Sequence, residues 1–149
     1  MSPLDFSRLQ KKAETINQQS DELTAAIQAI NEKLNTLNLG VEAFCQRPFA
    51  SSELEETKRL DHYLGYGKLG GKWGMIVRSE TTVPTSHDRH GDPDSWNTLD
   101  VEEDFLLSSS RQIRAKAIDS IQSLIEVLER EADKVEDSVA KAQEIAENL

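Results

Sequence analysis

The sequence predicts a mainly α-helical chain with a small β insert: two long antiparallel coiled-coil helices connected by an antiparallel β-hairpin or small sheet. Three observations point there. An apolar stripe with alternating steps of three and four runs from Phe6 to Leu37. A second stripe runs from Ala117 to Ala146. Between them, Leu64 to Glu80 packs five glycines and a tryptophan into a stretch of strand-like alternation. The expected organisation is a single domain: a helix over 3–39, a β insert over 41–107 with a polar loop at 79–97, and a helix over 108–148.

The first helix has Ser2 as its N-cap and Pro3 in its first turn. Gly40 is the stop signal, since glycine takes the left-handed cap conformation without steric cost. Its seam is thin early, with Ala13 and Ser20, and wide later, from Leu23 to Leu37. The second helix starts near Ser108–Ser110 and is widest early, where Ile113, Ile118 and Ile125 flank the seam. An antiparallel pair would bring the two wide ends together beside the insert. The step Leu124–Leu128–Ala132 is a stutter, which loosens a supercoil. Positions flanking the first seam are largely neutral or small: Gln10, Asn17, Thr24, Asn31 and Asn38 on one side, and Lys12, Gln19, Ala26 and Lys33 on the other. Such flanks pack against further helices, so the expected state is a homo-oligomer, most simply a dimer forming a four-helix bundle.

The insert reads as a hairpin around Gly70-Gly71, a turn that needs positive φ twice. Pairing outward puts Lys68 opposite Trp73, Tyr66 opposite Met75 and Leu64 opposite Val77 on one bulky face. The other face carries Gly67 opposite Gly74 and Gly65 opposite Ile76, and is nearly bare backbone. Bare glycine in a strand marks a close approach, either of a covering helix such as Ile113–Leu128 or of a docked ligand or partner strand. Val41–Arg47, ended by Pro48, is a third strand; Thr98–Glu102 is a weaker fourth. Phe49–Arg59 reads as a polar connection or short helix.

Composition bounds the function. The chain is acidic, with net charge −10, and has no basic arm. Nucleic acid is therefore not an expected partner. No apolar run approaches the roughly 20 residues that span a bilayer, and the N-terminus lacks the apolar core of a signal peptide. One cysteine, Cys45, excludes an internal disulfide and points to a reducing, cytoplasmic setting. No phosphate-binding glycine loop precedes a helix, and neither a nucleophile elbow nor HExxH occurs. No cofactor is implied.

Three sets of side chains remain as candidates. Lys68, Arg78, Arg111 and Arg114 could form an anion pocket between the hairpin and the start of the second helix, where free N–H groups attract negative charge. The plainer reading is a serine cap followed by surface arginines. Tyr66, Trp73 and Met75 on the bulky face, with Trp96, are candidates for contact with a protein partner. His87, His90 and Asp92 have the chemistry of divalent-metal ligands, but their spacing fits no structural zinc pattern and a polar loop holds ligands poorly. Cys45 sits in an apolar strand as a small buried residue.

The layout of two long terminal helices around β-hairpins is similar to that of prefoldin-type chaperone subunits, a likeness of outline across the chain carried by no motif. The function expected is a non-enzymatic oligomeric coiled-coil protein that binds another protein as a scaffold or chaperone-like module. The alternative is a small-ligand or anion-binding module.

Overall fold

The computed structural model describes residues 3–54, 57–84 and 96–149. Helix α1 spans Ser7–Leu37. Five strands follow: β1 (Ala43–Phe44), β2 (Ala50–Glu53), β3 (Arg59–Leu69), β4 (Lys72–Pro84) and β5 (Trp96–Phe105). A short 3-10 turn leads into α2 (Arg111–Ala117), and a second, Ile118–Ser120, joins it to α3 (Ile121–Glu147). All strand pairs are antiparallel, in the order β1-β3-β4-β5, with β2 sharing the outer edge of β3 beside β1.

The hairpin has the expected register: Lys68 faces Trp73, Tyr66 faces Met75 and Leu64 faces Val77. Gly70 and Gly71 sit at φ +57° and +83°, the conformation a two-residue turn of this kind demands. The strands run far longer than the turn alone requires. β4 continues through Ser79 to Pro84, taking the first part of the stretch expected to be loop, and β5 covers all of the weaker fourth strand. Ala50–Glu53, expected as a polar connection, is a strand with mostly exposed side chains. Val41–Arg47 contributes only the two residues of β1.

The sheet decides where the helices go, and here the expected architecture is overturned. Leu64, Tyr66, Met75 and Val77 form one continuous apolar face. That face needs a cover, because a sheet of this size is stable in water only when packed. Ile27 and Leu34 of α1, Ala117 of α2, and Leu124 and Leu128 of α3 join it in one core. The helices spend their wide stripes on the sheet and make little close approach to each other. Among the described residues there is no coiled-coil hairpin, and the likeness to the prefoldin layout does not survive. Nor is the second helix continuous, since the Ile118–Ser120 turn breaks it.

The helices also run in the same sense. Asn31 of α1 bonds to Met75 and Asn35 bonds to Trp73, so α1 advances toward the Gly70-Gly71 turn. Arg111 at the start of α2 reaches Asn17 of α1 at 3.0 Å, and the Cys45 thiol lies 3.8 Å from the Ser120 carbonyl. Farther on, Val127, Arg130 and Lys134 line a cavity with Ala43 and Phe44. Cys45 bonds to Leu64 and Ala43 pairs with Tyr66, so α3 too moves toward the turn.

The glycine face is covered by rings rather than by a helix. Phe44 pairs with Gly65, and a Cβ at Gly65 would overlap the Phe44 ring. Phe105 pairs with Ile76 and lies over Gly74. Ile76, 2% exposed, is enclosed between them. Absent side chains on β3 and β4 are the room that aromatic side chains of the flanking strands fill. At the N-terminus, the proposed cap Ser2 lies outside the described residues. α1 instead begins at Ser7, whose N–H donates to the Asp5 carboxylate at 3.0 Å. It ends at Asn38, in the left-handed conformation, two residues before Gly40.

Candidate binding groove at the hairpin tip

β5 stops at Phe105, opposite Ile76, so the last residues of β4 toward the turn lack a strand on that side. Trp73 and Met75 turn their backbone groups that way, and buried backbone groups must be paired. Two asparagines one helical turn apart on α1 supply the partners. Asn31 Oδ1 accepts the Met75 N–H at 2.9 Å, and Asn35 Nδ2 donates to the Trp73 carbonyl at 3.2 Å. Asn35 Oδ1 in turn accepts the Tyr66 hydroxyl at 2.5 Å. Burial pushes the Tyr66 hydroxyl above its ordinary range, which keeps it a donor.

A groove opens where these elements meet. Asn35, Asn38, Leu39, Gly40, Tyr66, Lys72 and Trp73 enclose a volume of about 350 Å³. Its floor is the stacked pair Tyr66 and Trp73, with centroids 5.6 Å apart and planes at 28°. Lys72 stands at the mouth as an exposed cation. An apolar floor with a few polar groups suits a side chain from another molecule. Two of the four residues expected to meet a partner, Tyr66 and Trp73, are thus brought together. Met75 is completely buried and contributes to the core. Trp96 opens β5 opposite Pro84, at the other end of β4.

The four proposed anion ligands are not assembled. Arg78 lies on the glycine face, 3.7 Å above the Phe44 ring and 2.8 Å from the Glu103 carboxylate. Arg114 donates to the Ser109 carbonyl at 2.8 Å and packs at the opposite face. Arg111 is held by Asn17. The Lys68 side chain is exposed near the turn, while its backbone N–H donates to Glu42 at 2.9 Å. His87, His90 and Asp92 lie outside the described residues. Cys45 is buried as expected, and burial raises its thiol pKa.

One polar cluster escaped the sequence reading. His62 Nδ1 lies 2.7 Å from Ser79 Oγ, with the imidazole stacked on Phe49. Extending the hairpin register outward by two more pairs from Leu64–Val77 would have found it, since His62 faces Ser79. Serine beside imidazole is part of a nucleophilic arrangement, but the imidazole needs a carboxylate to orient it. Asp61 is next in sequence and therefore on the other face of the strand. There it accepts from Ser51 Oγ at 2.5 Å and from Arg59 Nε at 3.0 Å. The sheet separates the acid from the base.

Among the described residues, no helix is long and apolar enough to cross a membrane. Comparison with protein-family models, with curated proteins and with solved structures finds no match to this chain.

Proposed function

We propose that the protein is a non-enzymatic, homo-oligomeric binding module that presents its hairpin tip to another protein. The observation that carries this is the half of each helical stripe that the sheet leaves unused. Phe6 and Leu9 at the start of α1 are 61% and 63% exposed. Val139 and Ile145 near the end of α3 are 49% and 65% exposed. An isolated apolar side chain on a surface is ordinary, but a helical row of them at core spacing marks an interface. A second copy is the occupant, because the same chain supplies two such rows. With the helices engaged, the Tyr66–Trp73 groove is an apolar surface left for a partner. The single cysteine fits a reducing compartment such as the cytoplasm.

Light scattering at two concentrations tests the assembly. A mass near twice 16.7 kDa is expected. A mass of one chain at both concentrations would refute it. Recovery of host proteins on the immobilised wild type, compared with Trp73→Ala, tests the groove. Identical sets of bound proteins would remove the groove from the proposal.

A further inference from the structure

Strand β5 is an outer strand of the sheet, and among the described residues no strand pairs with its far side. Its backbone directions follow from the Asn31 contact. Met75 turns its N–H away from β3, and the directions alternate along an antiparallel strand, so Val77, Ser79 and Thr81 turn theirs toward β5. Those three pair with Asp104, Glu102 and Asp100. Val101, Glu103 and Phe105 therefore point their N–H and C=O groups outward. At Phe105 the chain seals its own edge: the N–H donates to Asp104 Oδ1 at 2.8 Å, and the carbonyl accepts from Ser109 Oγ at 3.4 Å. At Val101 and Glu103, nothing among the described residues does this.

The side chains along this edge say what fits it. Asp100, Glu102 and Asp104 share the face of Val77, which the helices cover farther in. All three are nevertheless exposed, because the helices do not reach across β5. Among the described residues no cation pairs with them. On the other face Glu103 is neutralised by Arg78 at 2.8 Å, and Val101 is exposed beside it. A cavity of about 390 Å³ adjoins the edge, lined by Val77, Ser79, Glu102, Glu103, Asp104 and Ser109. Every charged side chain in that lining is an acid.

We propose that the outer edge of β5 takes up an extended segment of another protein as an added strand, with Lys or Arg at alternate positions and apolar residues between them. The backbone of the segment bonds to the outward groups of Val101 and Glu103. Its cations stand opposite Asp100, Glu102 and Asp104, and its apolar residues lie beside Val101. A second copy is refused. β5 against β5 sets acid against acid, and β1 and β2, on the opposite edge, hold Glu53 and no basic residue. The site is separate from the hairpin-tip groove and requires no assembly of copies.

The test uses the full chain and a dye-labelled heptapeptide, acetyl-Lys-Val-Lys-Val-Lys-Val-Lys-amide, read by fluorescence anisotropy. Charge fixes the parity of the register, so the valines carry the N–H groups that bond to the edge. Methylating the valine nitrogens is expected to weaken binding about tenfold or more, and methylating the lysine nitrogens to change it less than about twofold. Val101→Pro removes an outward N–H without touching the ladder to β4, and is expected to weaken binding of the unmethylated peptide. Equal affinity for all three peptides, or equal loss from both methylated forms, would leave charge attraction alone and overturn the proposal. Failure of the unmethylated peptide to bind would do the same. A wild-type oligomer that Val101→Pro dissociates would give the edge to a second copy, which also overturns it.

Discussion

Asn31 Oδ1 of α1 accepts the backbone N–H of Met75 in β4 at 2.9 Å, a helix side chain standing where a strand would. Leucine has nearly the same shape and no acceptor. Asn31→Leu therefore leaves the N–H of buried Met75 unpaired, which costs about 1–3 kcal/mol. Urea denaturation should show a lower midpoint with an unchanged slope. A midpoint equal to wild type would mean that water replaces the carboxamide.

Gly65 is constrained by a close contact. Its φ is unremarkable, but the Phe44 ring occupies the place of its Cβ, and Arg78 lies on the ring's other neighbourhood at 3.7 Å from the centroid. Gly65→Ala must push the ring off the sheet, an overpacking cost of about 1–3 kcal/mol. Adding Phe44→Ala should make the glycine substitution nearly neutral, so a double-mutant cycle should give strong coupling. Additive losses would show that the ring does not depend on the bare backbone.

His62 gives the fold a pH dependence. Burial holds its pKa below the ordinary value near 6.5, Lys116 adds to that, and Asp61 opposes it. The unfolded chain then binds the proton more readily than the folded one. Stability from this group is complete above pH 6.5 and is lost as pH falls through that value toward the folded pKa. Melting temperature should drop between pH 7.5 and 5.5, and the drop should shrink in His62→Gln. Equal drops in both proteins would assign the effect to other groups.

Cys45 should be a silent thiol. It is 6% exposed, and burial raises its pKa, so the reactive thiolate is scarce and enclosed. Labelling by a maleimide or an aromatic disulfide should be at least about tenfold slower in buffer than in denaturing urea. Equal rates would place the thiol at the surface.

The hairpin was legible in the sequence because its signals are local. Gly70-Gly71 fixes the turn, and alternation from there fixes each pair out to Leu64 and Val77. The fate of the helices was not legible. A heptad stripe states that a face will be buried, not what will bury it, and a sheet face accepts Ile27 and Leu128 as readily as another helix would. Asn31 and Asn35 carry no signal at all by residue type, since an amide that closes a strand edge resembles one facing water. β2 was hidden because an edge strand with exposed side chains, Ala50–Glu53, shows no apolar alternation. Of the candidate site, Tyr66 and Trp73 were found from their shared face. The groove around them depends on where α1 ends, which no strand pattern encodes.

The order of the elements along the chain has a consequence for biosynthesis. Strands β3, β4 and β5 follow one another and can zip up as they leave the ribosome, each beside the last. The core they present is finished only by Ala117, Leu124 and Leu128, in the final third of the chain. A nascent chain that has just completed β5 therefore holds a formed sheet with Leu64 and Tyr66 half uncovered. It is sticky for as long as translation takes to deliver α2 and α3. The C-terminal segment is the clasp of the domain, and a ribosome stalled before it would release not a shorter version of this protein but an aggregation-prone sheet.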